Sequence, residues 1–181
     1  LQAIKGYADD ISTLKNMPKE AENDISVIRI SAERLTMLVS DILDVSRLAQ
    51  GQLSFDMQKI DPTKMLERVI QNLKNEAEKK GLSLEFKKSF TLTIAADPMR
   101  LEQAFTNLIS NAIKYTPKGS IVISVEKQYD NAYIRIADTG LGISAEDQKH
   151  LFEKFFRIKS KETREIIGTG LGLWITKEII E

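Results

Sequence analysis

The chain has 181 residues, and its 26 Lys and Arg are balanced by 26 Asp and Glu, so its formal net charge is zero. This length allows one domain, or one domain with a small appendage, and 42% hydrophobic with 29% charged residues is typical of a folded globular chain. The charge balance argues against nucleic-acid binding through bulk positive charge, and the absence of cysteine excludes disulfides, thiolate metal sites and a cysteine nucleophile. No stretch approaches 18 consecutive apolar residues, so no transmembrane segment is predicted.

The first 50 residues show helical periodicity and no strand pattern. Apolar residues step by three or four over residues 1–14, a break follows at 16–19, and a second helix is predicted from about Glu20 to Gln50, with Gly51 placed to end it. Its apolar positions recur every seven residues at Ile28, Leu35, Ile42 and Ala49. A face this broad favours a four-helix bundle built by two chains. The alternative is a hairpin that packs on the globular domain of its own chain.

From residue 52 onward helices and strands are mixed. Asp61-Pro62 and Asp97-Pro98 each predict a helix start, because Asp caps the helix and Pro occupies its first position. The first of these helices is expected to end at Gly81, and the second spans Pro98 to Tyr115.

Alternating apolar residues predict the strands of the same region. They lie at 53–57, 82–86 and 91–94, and a hairpin joins 121–125 to 133–136 around Asp130-Asn131. A short helix capped by Ser144 and a final helix from about Gly170 complete the pattern. The sum is an α-hairpin followed by an α/β sandwich with helices on one side of a sheet.

Two glycine clusters stand out as possible ligand-binding loops. One covers residues 138–143 (DTGLGI) directly after a strand, and the other covers 168–173 (GTGLGL) directly before a helix. Glycine lets a backbone approach a ligand closely, and the amides of a helix N-terminus favour anions, so the second cluster is a candidate phosphate cradle. Turns also use glycine freely, and neither cluster matches a Walker loop or a Rossmann fingerprint.

The helix from Pro98 to Tyr115 carries a polar face. Asn107, Asn111 and Lys114 stand at i, i+4 and i+7, which places them on one side of the helix. An amide oxygen can ligate Mg²⁺ and a lysine can neutralise phosphate, so this face suits a metal-bound polyphosphate. Taken alone, the same pattern is more often that of a solvated helix face.

Four motifs in one order resemble the N box, first glycine box, F box and second glycine box of sensor histidine kinases. They are residues 107–115 (NLISNAIKY), 138–143, 152–157 (FEKFFR) and 168–173. The resemblance covers nearly the whole chain and implies an α+β fold. In this fold, residues 1–50 form the dimerisation and phosphoacceptor hairpin, half of a dimeric four-helix bundle, and residues 52–181 form an ATP-binding α/β sandwich of the GHKL (Bergerat) ATPase type.

The resemblance also implies an activity and its partners. The expected reaction is ATP-dependent autophosphorylation of a histidine on the hairpin, followed by phosphoryl transfer to an aspartate in the receiver domain of a response regulator. ATP and Mg²⁺ are the implied cofactors, and a homodimer through residues 1–50 is the implied assembly. The implied location is the cytoplasmic part of a sensor whose membrane contact lies outside this chain.

Individual residues take roles from the same resemblance. Asn111 would ligate Mg²⁺, Asn107 would face the phosphates, Lys114 would contact phosphate and Tyr115 would lie beside the nucleotide. Asp138 is expected as a buried carboxylate that accepts a hydrogen bond from the adenine amino group. The catalytic assignments are Arg157, at the terminal phosphate, and Lys114.

The remaining nucleotide-binding positions are expected within the glycine boxes and the F box: Gly140, Gly142, Ile143, Phe156, Gly168, Thr169, Gly170, Leu171, Gly172 and Leu173. Phe152, Phe155 and Phe156 are expected to pack as anchors of a mobile lid, with 158–167 as its flexible part.

Two departures from the family patterns bear on the chemistry. The hydrolysing relatives (gyrase, Hsp90 and the mismatch-repair ATPases) carry a glutamate base where this chain has Asn107, and an amide cannot take a proton from water at neutral pH. That favours phosphoryl transfer over hydrolysis. The acceptor histidine is expected a few residues before Leu1, the chain is expected to be cut at both ends, and His150, its only histidine, is expected in the short helix and not as an acceptor.

Two other functions remain as alternatives. One is a GHKL-type nucleotide-binding ATPase or clamp module without histidine phosphotransfer. Asn107 and the heptad hairpin disfavour this alternative. The other is a non-catalytic dimerisation and partner-binding scaffold, which the intact glycine boxes disfavour.

Overall fold

The computed structural model describes residues 1–14, 17–49, 54–88, 93–129, 131–164 and 166–181, the side chains of 47–49 excepted. Gly51, Asp130 and residues 91–92, all used in the predictions above, lie outside these ranges. The chain divides into two compact units. The helical unit comprises Leu1–Gln52 with Ile167–Thr169, and the α/β unit comprises Leu53–Ile166 with Gly170–Glu181. That each unit carries a separate function stays a prediction.

The helical unit contains the two predicted helices, α1 (Gln2–Ser12) and α2 (Lys19–Ala49), which confirms the hairpin elements. Small residues, Ala8 and Ala32, are buried in this unit. The larger apolar residues are not covered, since Ile28, Leu35 and Ile42 are 47%, 49% and 53% exposed. A single chain therefore leaves these three heptad positions of α2 about half exposed.

Two long helices of the α/β unit begin as the Asp-Pro pairs predict. They are α3 (Pro62–Lys79) and α4 (Pro98–Tyr115). Asp61 accepts a hydrogen bond from the Thr63 amide at 2.9 Å, and Asp97 accepts from the Met99 amide at 2.9 Å. Each carboxylate satisfies an N–H group that the first helical turn leaves unpaired, so the caps fix where both helices start.

The end of α3 also follows the prediction. Gly81 adopts a φ of +69°, its amide donates to Glu78 O at 2.9 Å, and the Leu82 amide donates to Ala77 O at 3.0 Å. These paired bonds form a Schellman motif, whose left-handed residue favours glycine.

Five strands in the described residues form two sheets. β1 (Gln58–Ile60) pairs antiparallel with β3 (Ile94–Ala96), while β2 (Ser83–Lys88) is parallel to β4 (Ser120–Gln128), which is antiparallel to β5 (Asn131–Asp138). The predicted strand at 53–57 was wrong in its bounds. Phe55 and Met57 are exposed, and pairing with the three residues of β3 places β1 at Gln58–Ile60 instead.

The core of the α/β unit lies between the larger sheet and the two long helices. Alternate residues of β4, Ile121, Ile123 and Val125, are fully buried in one cluster with residues of α3 and α4 such as Leu66 and Ile109. Burying each such side chain contributes about 1.5–3 kcal/mol. Because this packing fixes the rotation of α4, it also fixes the direction of the helix's polar face.

Two short elements complete the α/β unit. α5 (Ala145–Gln148) is capped by Ser144, which accepts from the Asp147 amide at 3.0 Å, and α6 (Gly172–Ile180) begins two residues after the predicted Gly170. Between the F box and α6 the described residues form neither helix nor strand. No helix in the described part of the chain has the length and apolar character needed to cross a membrane.

Candidate nucleotide-binding site

The polar residues of the N box lie on α4, on the side that the core leaves free. Leu101, Phe105 and Ile109 are buried against the sheet, whereas Asn107 and Asn111 are half-buried. Lys114 and Tyr115, in the last turn, are half-buried as well. The helical spacing therefore produces the shared face predicted for Asn107, Asn111 and Lys114, while their roles stay predictions.

The end of α4 touches the first glycine box. The Leu141 amide donates to Tyr115 O at 3.1 Å. A Cβ on Gly140 would lie 2.5 Å from that same carbonyl oxygen and 2.7 Å from Asp138 Oδ1, distances no side-chain carbon tolerates. Glycine at this position is thus required by the contact between the N box and the first glycine box.

Asp138 is exposed rather than buried, so that expectation was wrong. Asp138 is the last residue of β5, and its Oδ1 accepts a hydrogen bond from the Gly140 amide at 2.9 Å. One carboxylate oxygen therefore holds the loop. Beyond it, Gly142 adopts a φ of +70° and the Ile143 carbonyl accepts from Gln148.

The N box also touches the helix that follows the second glycine box. Asn107 Nδ2 donates to Thr176 Oγ1 of α6 at 2.8 Å. A Cβ on Gly172 would lie 2.9 Å from Asn107 Cγ, so the missing side chain lets the amide rest on the first turn of α6. Sequence analysis did not find Thr176, which is the polar residue that directly follows the apolar run LGLWI.

The F box is joined to the second glycine box through the backbone. The Phe155 amide donates to Gly170 O at 2.9 Å, and both residues have positive φ, +64° and +77°. A Cβ on Gly170 would lie 2.7 Å from Phe155 C. The expectation that the Phe155 ring packs as an anchor was wrong, because that residue is 63% exposed and its backbone makes the contact.

Two cations add side-chain contacts between the F box and α6. Lys154 Nζ lies 4.2 Å from the centre of the Trp174 ring, and Lys177 Nζ lies 5.9 Å from that of Phe152. Both distances fall within the range of cation–π attraction. Phe152 is nevertheless about half exposed, so it too is less packed than expected.

Arg157 directly precedes residues 158–167, the segment expected to act as a lid. Its Nη2 donates to Ile166 O at 2.5 Å, which draws the two ends of the segment together. Thr163, which is buried, donates to Ile158 O at 2.7 Å and accepts from the Ser160 amide at 2.9 Å. A cavity of about 630 Å³ opens here, lined by Arg157, Ile158, Lys159, Ser160, Lys161, Thr163 and Arg164. Its four cationic side chains suit an anionic ligand.

The other predicted positions of the second glycine box are divided between the two units. Thr169 Oγ1 donates to Asp41 at 2.5 Å, a contact within the helical unit. A Cβ on Gly168 would meet no atom within 4 Å. In the α/β unit, Leu171 is fully buried and Leu173 is half-buried.

His150 lies in a turn just after α5 and not within that helix, which corrects its predicted place. Nδ1 is 2.8 Å from Glu153 Oε1, and the ring centre is 5.5 Å from that of Phe156. The hydrogen bond with the Glu153 carboxylate raises the pKa of His150. Phe156 is half-buried beside it.

Lys80 is a further residue that sequence analysis missed. Its Nζ donates to Ile113 O at 2.8 Å and to Lys114 O at 2.9 Å, the last carbonyls of α4. A cation at a helix C-terminus satisfies unpaired carbonyls and opposes the helix dipole. Lys80 thereby holds the turn that carries Lys114 and Tyr115.

The α/β unit can offer Mg²⁺ an amide oxygen, to be combined with ligands from the substrate and water. In the described ranges, no group of three or more His, Cys, Asp or Glu side chains comes together as a metal cage. Mg²⁺ is commonly held by one or two protein oxygens together with substrate phosphates and water. The half-buried amide of Asn111, on the polar face of α4, offers such an oxygen.

Within the α/β unit, the N box contacts the first glycine box and α6, and the F box contacts Gly170. Comparison with known proteins then identifies the protein family that this unit matches. The family of histidine kinase-, DNA gyrase B- and HSP90-like ATPases matches residues 96–181. That part of the chain is therefore a domain of this ATPase family.

Over nearly its whole length the chain is homologous to sensor histidine kinases. It is 35% identical over 182 aligned positions to sensor histidine kinase RcsC of Escherichia coli K12, covering 99% of this chain and 19% of RcsC. It is 36% identical over 176 positions to BarA of the same organism, covering 93% of this chain and 19% of BarA. The chain thus spans about a fifth of the length of these curated relatives.

A solved structure supports the same relationship. The crystal structure of full-length ShkA in complex with AMPPNP matches with a TM-score of 0.77 at 27% identity, covering 97% of this chain and 36% of ShkA. Together with the observed helices and sheet, this likeness confirms the predicted fold class of N-terminal helices followed by an α/β domain.

Proposed function

We propose that this chain is the catalytic core of a sensor histidine kinase. Its α/β unit binds ATP with Mg²⁺, the terminal phosphoryl group passes to a histidine outside this chain, and from there to an aspartate of a response regulator receiver domain. The observation that carries the proposal is the direct contact among the motifs: the N box touches the first glycine box at Gly140 and α6 at Gly172, and the F box touches Gly170.

ATP as the ligand is supported by the ATPase family of residues 96–181 and by the ATP analogue bound to ShkA. In this proposal Asp138 accepts from the adenine amino group through the carboxylate oxygen that does not hold Gly140. The C-terminal end of α4 and the N-terminal end of α6 flank the phosphates. Lys114 and Arg157 supply positive charge there. Phosphoryl transfer depends mainly on positioning and charge neutralisation, which such a site provides.

Asn111 is the proposed protein ligand to Mg²⁺, and this assignment gives the first test. Calorimetric titration with ATP, with and without Mg²⁺, should show tighter binding with the ion in the wild type. Asn111→Ala should lose most of that enhancement because the amide oxygen is gone, whereas Asn72→Ala, an equal truncation at an exposed position of α3, should keep it. Equal enhancement in all three proteins would place the ion elsewhere.

The phosphoacceptor gives the second test. His150 lies in a turn of the α/β unit, paired with Glu153, and not on the helical hairpin, so it is not the proposed acceptor. With ATP labelled on its terminal phosphate, this chain alone should bind nucleotide without becoming labelled. A longer chain that includes residues preceding Leu1 should become labelled, and the label should be labile in acid and stable in alkali, as a phosphoramidate is.

The same assay separates this proposal from the ATPase alternative. Asn107 cannot act as a base toward water, so release of inorganic phosphate should be slow. Rapid hydrolysis by this chain, with no transfer of label in the longer one, would favour a nucleotide-binding ATPase or clamp module.

The helical unit is the proposed dimer interface. Ile28, Leu35 and Ile42 are each about half exposed in the single chain, and they repeat every seven residues. Burial of this face between two copies would form a four-helix bundle with apolar residues at the seam. The receiver domain of a response regulator is the further partner that this function requires.

A further inference from the structure

The hydroxyl of Thr176 is one of several buried polar groups of the α/β unit that the proposed function does not use. Thr176 lies in the middle of α6 and is only 5% exposed. Its Oγ1 accepts a hydrogen bond from Asn107 Nδ2 at 2.8 Å, across 69 residues of sequence. A buried polar side chain that joins the two helices of the proposed phosphate site can influence that site directly.

The contact gives the Asn107 amide a defined direction. A Cβ on Gly172, the first residue of α6, would lie 2.9 Å from Asn107 Cγ, 3.0 Å from Nδ2, and closer still to Oδ1. Thr176 is one helical turn further along α6. The amide therefore lies along the first turn of α6, with its nitrogen toward Thr176 and its oxygen nearer the N-terminal end.

This direction decides what Asn107 presents to a ligand. An amide offers donors on its nitrogen and acceptors on its oxygen. A phosphate would be bound by the N–H groups, and the hydrogen bond to Thr176 takes one of the two. The oxygen at the start of α6 suits a cation, or water bound to a cation, because amide oxygens are ligands that Mg²⁺ accepts.

We infer that Thr176 is a positioning residue that orients the Asn107 amide so that its oxygen, together with that of Asn111, faces Mg²⁺ or its bound water. The inference rests on the proposed function and differs from the expectation that Asn107 contacts phosphate. Asn111 stands one turn after Asn107 on the same face of α4, so both oxygens can serve one ion.

Thr176→Val removes the hydroxyl and keeps the shape of the side chain. Its Mg²⁺ enhancement of ATP affinity, measured by calorimetry, should fall by about two- to tenfold, the range that one neutral hydrogen bond spans. ATP affinity without Mg²⁺ should change little. Thr176→Ser, which restores the hydroxyl, should recover the enhancement. Thr63→Val, which removes another buried threonine hydroxyl at the start of α3, should leave it unchanged while losing comparable stability.

A double-mutant cycle tests whether Thr176 acts through Asn107. Asn107→Ala should reduce the enhancement, and adding Thr176→Val to it should cause no further loss, because the group being oriented is already absent. Additive losses, or full enhancement in Thr176→Val, would overturn the inference while the proposed function stands. Failure of the wild type to bind ATP would instead overturn the proposed function.

A measurement on the wild type covers the case in which Thr176→Val does not fold. The side-chain amide of Asn107 can be assigned in a nitrogen–proton NMR spectrum by its disappearance in Asn107→Ala. A bond to a buried hydroxyl should slow its exchange with deuterium relative to the exposed amide of Asn72, and Mg²⁺ added with ATP should shift its signal. Exchange as fast as that of Asn72 would contradict the orientation.

Discussion

Replacing Gly170 by alanine should damage the junction between the F box and α6. Gly170 has a φ of +77°, which costs an L-residue about 1–2 kcal/mol. The added Cβ would lie 2.7 Å from Phe155 C and 2.9 Å from Phe155 O, so backbone must move, at about 1–3 kcal/mol. Reduced freedom of the unfolded chain returns about 0.4–1 kcal/mol. The net loss in free energy of unfolding should be about 1–5 kcal/mol.

Urea denaturation followed by tryptophan fluorescence measures this loss, because Trp174 is the only tryptophan and lies beside Lys154 of the F box. Gly168→Ala is the matched control from the same motif: a Cβ there meets nothing within 4 Å, so stability should be unchanged or slightly higher. Equal stability of Gly170→Ala and Gly168→Ala would refute the reasoning, since it would mean that Gly170 is not held against Phe155.

Three further predictions concern nucleotide recognition, a helix cap and assembly. Asp138→Ala should weaken ATP binding by about 1.5–3 kcal/mol, the range of a charged hydrogen bond, and unchanged calorimetric affinity in a folded variant would refute the adenine assignment. Asp97→Ala should cost about 1 kcal/mol at neutral pH, measured by urea denaturation. The hydrogen bond from the Arg100 amide lowers the pKa of Asp97, so the stabilisation by this cap should be present above the unfolded-state pKa and should disappear as pH falls below about 4. A stability difference between the wild type and Asp97→Ala that stayed undiminished at pH 2 would contradict this. Leu35→Glu or Ile42→Glu should convert the dimer into monomers, measured by sedimentation, without abolishing ATP binding. A wild-type sedimentation mass of one chain at micromolar concentration would refute the four-helix bundle.

Local signals in the sequence predicted most elements of the fold. The Asp-Pro pairs fix the starts of α3 and α4, and Gly81 fixes the end of α3, because each feature acts on the backbone within a few residues. The first strand was misplaced because its bounds depend on pairing with β3, which is distant in sequence. Its apolar alternation at 53–57 carried no information about that partner.

The motif residues of the site could be predicted, but their supporting contacts could not. Spacing along one helix places Asn107, Asn111 and Lys114 on a common face without knowledge of the rest of the chain. Thr176 and Lys80 could not be found from the sequence, because their hydrogen bonds to α4 form only once α6 and the end of α3 pack beside it. Asp138 was expected to be buried because of its place at a strand, but it is the last residue of β5 and is exposed there.

The packing of the glycine boxes affects how related sequences should be interpreted. A Cβ on Gly140 or on Gly170 would collide with backbone atoms of the protein itself. Selection for folding alone would therefore retain these glycines in a homologue that had lost catalysis. Such a degenerate homologue would still match the family by its glycine boxes. The substitution that would expose it lies at Asn111, whose proposed role concerns only the ligand.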